Sequence, residues 1–370
     1  MAALSAPRRA ATGWSRLAQS NPAAGVVDTL LRGIGQVMFQ NNPLTGLLFL
    51  AGIFVNSAKF GGSALLGLAA STLAAYVLGA DRALIRAGLF GFNGVLVGIA
   101  LAFFLEFDLL LAVYIVLGAA VSTVVMMALI NLLSPWDMPA LTAPFVLTTW
   151  LLVAAVYQFS NVRPGELIVP LPLDPQASIQ TELRELATAA AGLSAGNLVH
   201  ALFRGIGEVM FQDNLWTGVI FLVAILVNSR ISAAFAVLGS AAGLLTALAV
   251  GADGIAVFHG LYGFNAVLTA IALGGLFFVL TWRSAVYALV AAVFTTLAFA
   301  GIAVLLSPVG LPALTAPFVL VTWLFLLPKR GFRALEPVPV ADVTTAERIR
   351  AAHTGKGGSP RARSGSGEAA

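Results

Sequence analysis

Long apolar stretches separated by short polar segments run along most of the chain. One short, more polar segment is followed by five apolar ones, and the whole series then recurs. Several stretches reach the roughly 17–25 residues that a membrane-spanning helix needs. We predict spans in the first half at 43–58, 62–79, 85–105, 107–133 and 139–159, with five equivalents in the second half. The pattern therefore predicts an all-α polytopic membrane protein.

The short first segment of each half, residues 24–40 and 196–212, is too brief and too polar to span a membrane comfortably. We predict that it forms a re-entrant or half-spanning helix packed inside the protein, where such backbone is tolerated at membrane depth. The third predicted span contains a Gly-Phe-Asn break at 91–93. A half-helix followed by a short span is the alternative there.

Three sequence blocks recur in the same order at a nearly constant offset. They are RGIGQVMFQ, GLFGFN and PALTAPFVL at 32–40, 88–93 and 139–147, which return as RGIGEVMFQ, GLYGFN and PALTAPFVL at 204–212, 260–265 and 312–320. The offset is 172 residues for the first two blocks and 173 for the third. Chance does not produce such a series, so we interpret the chain as a duplication with transmembrane repeats at 24–160 and 196–328.

Five crossings per half bring the second half into the membrane from the opposite side, which defines two inverted repeats around a central pore. The positions of Lys and Arg test this, because positive residues concentrate in cytoplasmic flanks. With the N-terminus inside, the outer flanks hold only Lys59, Arg163 and Arg184. The inner flanks collect Arg8, Arg9, Arg16, Arg82, Arg86, Arg230, Arg283, Lys329, Arg330 and Arg333. Six true spans per half, giving parallel repeats, is the alternative.

The remaining segments follow from this topology. Residues 1–23 are predicted to be a cytoplasmic N-terminal segment without the apolar core of a cleaved signal peptide. Residues 161–195 are predicted to be an acidic extracytoplasmic linker, and residues 329–370 a disordered, basic cytoplasmic tail. Both termini would then be cytoplasmic, in the cell (inner) membrane.

Composition narrows the function. The 370 residues are 59% hydrophobic and 10% charged, with a mean hydropathy of +0.95, whereas a soluble domain carries about a quarter charged residues. Cysteine is absent, and His200, His259 and His353 show no ligand spacing, so no metal or other cofactor is predicted. No nucleophile–base pattern indicates an enzyme. The net charge of +4 lies in tails and loops, which argues against nucleic acid as a partner.

Polar side chains within apolar segments are costly, so each needs a reason. The duplication pairs Gln36 with Glu208, and we favour a functional role for that pair. For Asn56 and Asn228 we favour hydrogen bonds that join helices. Arg204 could form an i,i+4 ion pair with Glu208 or cap carbonyl groups, and both interpretations stay open. The six tryptophans mostly lie near predicted span ends, as is typical of an interfacial belt.

The doubled VMFQ(N/D)N and GFN motifs, and above all MPALTAPF at 138–145 and LPALTAPF at 311–318, resemble the urea transporter family in its bacterial, two-repeat form. The resemblance covers about residues 30–328. It implies a homotrimer with one pore per subunit, and passive, channel-like transport of urea through a narrow filter of paired Phe slots and oxygen acceptors. Carried over motif by motif, the filter residues are Gln36, Val37, Phe39, Phe92, Leu96 and Thr142, with their mates Glu208, Val209, Phe211, Phe264, Leu268 and Thr315.

The chemistry of these residues suits urea, which is small, flat, neutral and rich in N–H donors. Carboxylate, amide and hydroxyl oxygens can replace the water that urea leaves behind. We expect Thr142 and Thr315 to meet near the middle of the pore, and Gln36, Phe39 and Phe92 to face their mates. An ion-coupled secondary transporter of a small neutral solute would require several intramembrane acids, and the filter holds one. An ammonium or amide channel is a further alternative.

Overall fold

The structure, a computed structural model, describes residues 13–159, 161–165 and 194–356. The helices of the first half are α1 (Gly13–Ser20), α2 (Pro22–Gln36), α3 (Pro43–Asn56), α4 (Ala58–Val77), α5 (Arg82–Arg86), α6 (Gly91–Phe104), α7 (Leu109–Leu133) and α8 (Ala143–Val156). Those of the second half are α9 (Ala195–Gly207), α10 (Leu215–Asn228), α11 (Arg230–Ala249), α12 (Gly254–Phe258), α13 (Phe264–Ile271), α14 (Trp282–Leu306), α15 (Ala316–Leu326) and α16 (Ala346–Lys356). The predicted all-α class is confirmed for the described residues.

Asparagine side chains define where helix α3 and its equivalent in the second half, α10, begin. Asn42 precedes α3, and its Oδ1 accepts hydrogen bonds from the N–H groups of Leu44 and Thr45 at 2.9 and 3.4 Å. Pro43 occupies the first helical position, where a missing N–H costs nothing. Asn214 caps α10 in the same way, at 2.8 and 3.2 Å. The break before each of these helices is therefore encoded locally.

Only some of the predicted spans are long helices. The described stretches that are long and apolar enough to cross a membrane alone are Ala58–Val77, Leu109–Trp136, Arg230–Ala249 and Trp282–Val309. The helices α3, α6, α8 and α10 have 14 residues each, or about 21 Å. The predicted third span, 85–105, is divided into α5 and the almost wholly buried α6. The alternative with a break before the Gly-Phe-Asn motif therefore describes the structure.

The two halves pack against each other through equivalent residues. Helix α3 lies against α10, and the rings of Phe49 and its mate Phe221 are 4.9 Å apart. Thr45 and its mate Thr217 each donate a hydrogen bond to a backbone carbonyl of the opposite half, at 2.8 and 3.0 Å. Each contact between the halves is repeated by the equivalent residues of the opposite half. The two halves therefore meet through equivalent surfaces.

The change of offset from 172 to 173 residues has a structural counterpart. Helix α6 is regular up to Phe104, whereas α13 continues into the π-helical segment Ala272–Leu276. There the N–H of Phe277 donates to the carbonyl of Ala272, five residues earlier, at 3.0 Å. A π turn inserts one residue without ending a helix. The extra residue of the second half is absorbed at this turn.

The segment after α15 is ordered as far as residue 356, so the predicted disorder from residue 329 onward is wrong for this stretch. The N–H of Val338 donates to the carbonyl of Phe277 at 2.9 Å, and α16 packs against α11 and the π-helical segment. Lys329 forms an ion pair with Asp137 of the first half at 2.9 Å. The composition resembles that of a disordered tail, but these hydrogen bonds and the ion pair fix the segment on the helices.

The first half contains a matching contact, in which the N–H of Gly165 donates to the carbonyl of Phe104 at 2.8 Å. The equivalence of the two halves therefore reaches residues 165 and 338, beyond the ends predicted at 160 and 328. Residues 1–12, 166–193 and 357–370, which belong to the predicted terminal segments and linker, lie outside the described residues.

Candidate functional site

A pair of threonine hydroxyls, one from each half, lies at the centre of the site. Thr142 and Thr315 immediately precede α8 and α15, both are buried, and their Oγ1 atoms are 2.6 Å apart. The preceding residues, Leu141 and Leu314, have φ angles of +54° and +50°, in a region that non-glycine residues rarely occupy. Both halves tolerate this strain beside the threonines, and such strain concentrates at functional sites.

The asparagines of the two GFN motifs hold the helices that carry these threonines. Oδ1 of Asn93 accepts a hydrogen bond from the N–H of Phe145, and Oδ1 of Asn265 accepts one from the N–H of Phe318, both at 3.1 Å. These N–H groups lie in the first turns of α8 and α15, where no side-chain cap of the usual local kind is present. Each asparagine therefore caps a helix from a neighbouring element.

Helices α2 and α9 end inside the protein, and a phenylalanine with positive φ follows each of them. The φ angles are +63° for Phe39 and +60° for Phe211. Each ring contacts rings of the opposite half edge to face, at centroid distances of 5.9 to 6.3 Å. The edge-to-face partners are Phe277 and Phe318 for Phe39, and Phe104 and Phe145 for Phe211. The ring of Phe211 also lies 5.4 Å from that of Phe103, at an interplanar angle of 48°.

No ring contact joins Phe39 to Phe211 in the part of the chain that the structure describes, and the expectation that the two rings face each other across a passage stays a prediction. The left-handed turn at each position places the ring against rings of the opposite half. Edge-to-face packing on two partner rings then fixes its position. Each half therefore places one phenylalanine ring among aromatic rings of the other half.

The side chains at positions 36 and 208 offer oxygen atoms near these turns. Nε2 of Gln36 donates to the carbonyl of Ala87 at 3.0 Å, which orients the amide and leaves Oε1 without a donor among the described residues. Glu208 begins the turn after α9 and is 8% exposed. No hydrogen bond or ion pair engages its carboxylate within the described ranges. The carboxyl oxygens of Glu208 therefore have acceptor capacity left for the N–H groups of a ligand.

The i,i+4 ion pair between Arg204 and Glu208 is not formed. Nε of Arg204 instead lies 3.1 Å from Oδ1 of Asp213, and Arg32 pairs with Asp28 at 2.6 Å. The alternative, in which Arg204 caps a carbonyl group, holds in part, since Nη1 also donates to a backbone carbonyl at 3.4 Å. The charge of Glu208 is therefore not paired with the arginine of its own helix.

The other predicted filter residues are apolar and buried. They follow α2 and α9 or lie in the first two turns of α6 and α13: Val37, Phe92 and Leu96, with their mates Val209, Phe264 and Leu268. The ring of Phe264 packs edge to face on Phe299 at 5.6 Å. Among the described residues no ring contact joins Phe92 to Phe264, and the expectation that they face each other across a passage stays a prediction.

Two amide pairs link the halves, and only the asparagine of each is predicted from the sequence. Nδ2 of Asn228 donates to Oε1 of Gln40 at 2.8 Å, and Nδ2 of Asn56 donates to Oε1 of Gln212 at 2.9 Å. Both glutamines are buried and donate in turn to a carbonyl two residues earlier. The interpretation that the asparagines join helices is confirmed. The repeated VMFQ motif was the available signal for their partners.

Trp150 and Trp323 differ from the interfacial belt that the sequence suggests. Nε1 of Trp150 donates to the carbonyl of Pro312 at 2.7 Å, and Nε1 of Trp323 donates to that of Pro139 at 2.8 Å. Each indole therefore holds the Pro-Ala-Leu segment of the opposite half. Trp282, in contrast, is 73% exposed at the start of α14, as a belt residue should be.

These features define a class of protein: a helical membrane protein whose two halves bury a series of oxygen acceptors and aromatic rings between them. The chain belongs to the urea transporter family, whose sequence model, described as "Urea transporter", matches residues 27–330. Urea transporter 1 of Rattus norvegicus is 36% identical over 327 residues, which cover 88% of this chain and 82% of the relative. Urea transporter 1 of Ovis aries and of Mus musculus are 35% and 36% identical with the same coverage.

Proposed function

We propose that this chain carries urea passively across the membrane, along the surface where its two halves meet. The observation that carries the proposal is the contact between Thr142 and Thr315, which puts hydroxyl groups at the junction of two broken segments. Gln36 and Glu208 add oxygen acceptors at the ends of α2 and α9. A solute rich in N–H groups can exchange its water for these oxygens in succession, and weak binding at several sites permits exit.

The ends of α2 and α9 support the same chemistry. The carbonyl groups of Gly35, Gln36 and Gly207 already accept hydrogen bonds from the turns that follow α2 and α9, but the C-terminal ends of both helices still carry the negative end of the helix dipole. Both helices end at buried residues, so these dipoles favour N–H donors at the interface between the halves. A free cation gains less, because a few dipoles and one carboxylate do not replace a full hydration shell.

Two kinds of side chain make up the proposed filter, and each kind occurs in both halves. The rings and branched chains would limit the passage to flat molecules, while the oxygen atoms accept hydrogen bonds. The complete proposed set is Gln36, Val37, Phe39, Phe92, Leu96, Thr142, Glu208, Val209, Phe211, Phe264, Leu268 and Thr315. The edge-to-face contacts of Phe39 and Phe211 support rigid ring positions.

We also propose that the repeats, 24–160 and 196–328, have opposite orientations. The contacts of Phe49 with Phe221 and of Thr142 with Thr315 support a twofold axis, since a residue meets its own mate on such an axis. The odd number of predicted crossings and the Lys and Arg distribution favour an axis in the plane of the cell (inner) membrane, with both termini cytoplasmic. A homotrimer with one pore per subunit is proposed from family membership.

Transport should be passive, because the filter has one acid and a neutral amide at the equivalent position. Ion coupling of this kind uses several intramembrane acids to bind the driving ion. Gln36 and Glu208 provide acceptors without a second carboxylate. The ion-coupled alternative therefore lacks a supporting contact among the described residues of the filter.

Stopped-flow light scattering on proteoliposomes tests this proposal. Urea permeability should exceed that of protein-free liposomes, while glycerol permeability should stay at the protein-free level and water permeability serves as a second reference. A sodium, proton or voltage gradient imposed without a urea gradient should concentrate no urea. Sustained accumulation of urea would favour the ion-coupled alternative. A urea permeability no higher than that of protein-free liposomes would refute the proposed urea transport.

A further inference from the structure

An open groove of about 720 Å³ lies between α14 and the segment that follows α15. It is lined by Arg283, Val286, Tyr287, Val290, Phe325 and residues 331–335. The hydroxyl of Tyr287 donates to the carbonyl of Phe325 at 2.8 Å, which closes the floor of the groove. None of these residues belongs to the proposed filter.

One end of the groove is cationic. Arg283 and Arg333 are both exposed, and neither forms an ion pair with any acid that the structure describes. The guanidinium of Arg283 lies 5.3 Å from the ring of Trp282. An exposed tryptophan at the start of a span marks the level of the lipid headgroups. The two unpaired charges therefore lie where headgroups are found.

An apolar stripe leads away from this end along α14. Val286 and Val290 are 52% and 54% exposed, and Phe294 and Leu297 continue the stripe. Their spacing of three to four residues keeps them on one face of the helix. The 18-residue apolar core of this span is also the least buried of the four long ones, at 22% against 39–44% for the others. The groove thus joins a cationic end to an apolar face.

The equivalent surface of the first half lacks both charges. At the offset of 173 residues, Leu110 takes the place of Arg283, and Ser160, which lies outside the described residues, takes the place of Arg333. The apolar positions are kept, beginning with Val113. The cationic end is therefore specific to the groove of the second half and is not a general property of the repeat.

We propose that this groove binds an anionic phospholipid. Its phosphate lies between Arg283 and Arg333, and one acyl chain lies along Val286 and Val290. The planar fork of a guanidinium matches the oxygens of a phosphate. Basic pockets beside transmembrane helices on the cytoplasmic side are typical sites for anionic headgroups. The bilayer itself supplies such molecules to this face.

A second copy of the chain fits the groove less well, because it would have to bring free carboxylates to the two guanidiniums. Most described acids at the proposed inner surface are already engaged within the chain. They are Asp28 with Arg32, Asp81 with the start of α5, Asp137 with Lys329, Glu336 with His353, and Glu347 with the N–H of Ile231. Only Asp342 is left among them. A phosphodiester with an acyl chain satisfies both ends of the groove.

The absence of native cysteine permits a direct test. A bimane fluorophore attached through Val286→Cys reports on the groove, and one attached through Val113→Cys reports on the equivalent surface, where exposure is similar at 57%. The full chain in detergent micelles is titrated with phosphatidylglycerol or phosphatidylcholine that carries brominated acyl chains. At position 286, half-maximal quenching should need roughly 10- to 30-fold less phosphatidylglycerol than phosphatidylcholine, as expected for two basic residues at an anionic headgroup. At position 113 the two lipids should be equal.

Charge variants separate the proposal from its alternatives. R283Q/R333Q should remove the preference at position 286, while R348Q/R350Q, which removes the same charge from exposed residues of α16, should keep it. Unchanged quenching by phosphatidylcholine shows that each variant is folded. A preference that survives R283Q/R333Q, or that occurs equally at 113, would overturn the site. Displacement by millimolar inorganic phosphate would indicate a plain phosphate site, and cross-linking between copies at 286 without lipid quenching would indicate a protein interface. Either result overturns the lipid assignment.

Discussion

The two halves of the chain keep the same contacts where they meet and differ in the residues around that surface. Thr142 touches its own mate, Thr315, and the amide pair and the phenylalanine packed on rings of the other half each occur twice. Position 36 is Gln in the first half, whereas its mate, position 208, is Glu in the second. The doubled contacts are those that hold the two halves together along the surface of the proposed passage. Positions at which the two halves differ show where the type of side chain matters and where only its place in the fold is kept.

The arginines of α2 and α9, Arg32 and Arg204, illustrate this distinction. Asp28 neutralises Arg32 from one turn earlier in the first half, while Asp213 neutralises Arg204 from the following loop in the second. The acid occupies different positions in the sequence, yet each arginine keeps one. Glu208 is therefore an additional acid that no arginine needs. An acceptor at this position is common to both halves, and a negative charge is not.

Replacing Glu208 should have the largest effect on transport. Glu208→Leu removes the acceptor, and hydrogen bonds to a charged group contribute about 1.5–3 kcal/mol each, so urea flux should fall roughly ten- to a hundredfold. Glu208→Gln copies the residue of the first half and should keep much of the flux. Stopped-flow measurements per folded protein compare the two variants. Full activity in the Leu variant would remove Glu208 from the pathway.

The threonine pair should have a smaller effect. T142V/T315V keeps the shape and removes both hydroxyls, each of which contributes about 0.5–1.5 kcal/mol as a neutral hydrogen-bonding group. Urea flux per folded protein should therefore fall several-fold. The same stopped-flow assay measures it, with folded yield determined by size-exclusion chromatography.

A matched control lies seven residues further along the same helices. The hydroxyls of Thr149 and Thr322 are buried and have no hydrogen-bond partner within the described ranges. T149V/T322V should therefore leave the urea flux unchanged and should not lower the unfolding temperature. If both double variants transport at the wild-type rate, the Thr142–Thr315 contact is structural.

The amide links between the halves should affect stability most modestly. A double-mutant cycle with Gln40→Leu and Asn228→Leu should give a coupling energy of about 0.6–1.7 kcal/mol, the range found for side-chain hydrogen bonds between membrane helices. The cycle with Gln212→Leu and Asn56→Leu should give the same value, because the contact is equivalent. Thermal unfolding in detergent measures both cycles. A coupling near zero in either would break the equivalence of the halves.

Features that depend on pattern and local signals could be predicted, whereas most contacts that depend on how the two halves approach each other could not. The repeat alone predicts the meeting of Thr142 with Thr315. It does not predict that Phe39 and Phe211 pack on rings of the opposite half, because that packing depends on a positive φ at each position. The order of the segment after α15 depends on hydrogen bonds to distant carbonyls, such as that of Phe277, which composition does not reveal.

The central claim, that the halves lie in the membrane with opposite orientations, is tested most directly by labelling single cysteines in intact cells. Ser178→Cys in the linker and Ser359→Cys near the C-terminus serve this purpose, since the chain has no native cysteine and both positions lie outside the described residues. An impermeant maleimide should label the Ser178→Cys variant in intact cells and the Ser359→Cys variant only after lysis. Labelling of both variants before lysis, or of neither, would contradict the odd number of crossings and the two-sided passage built on it.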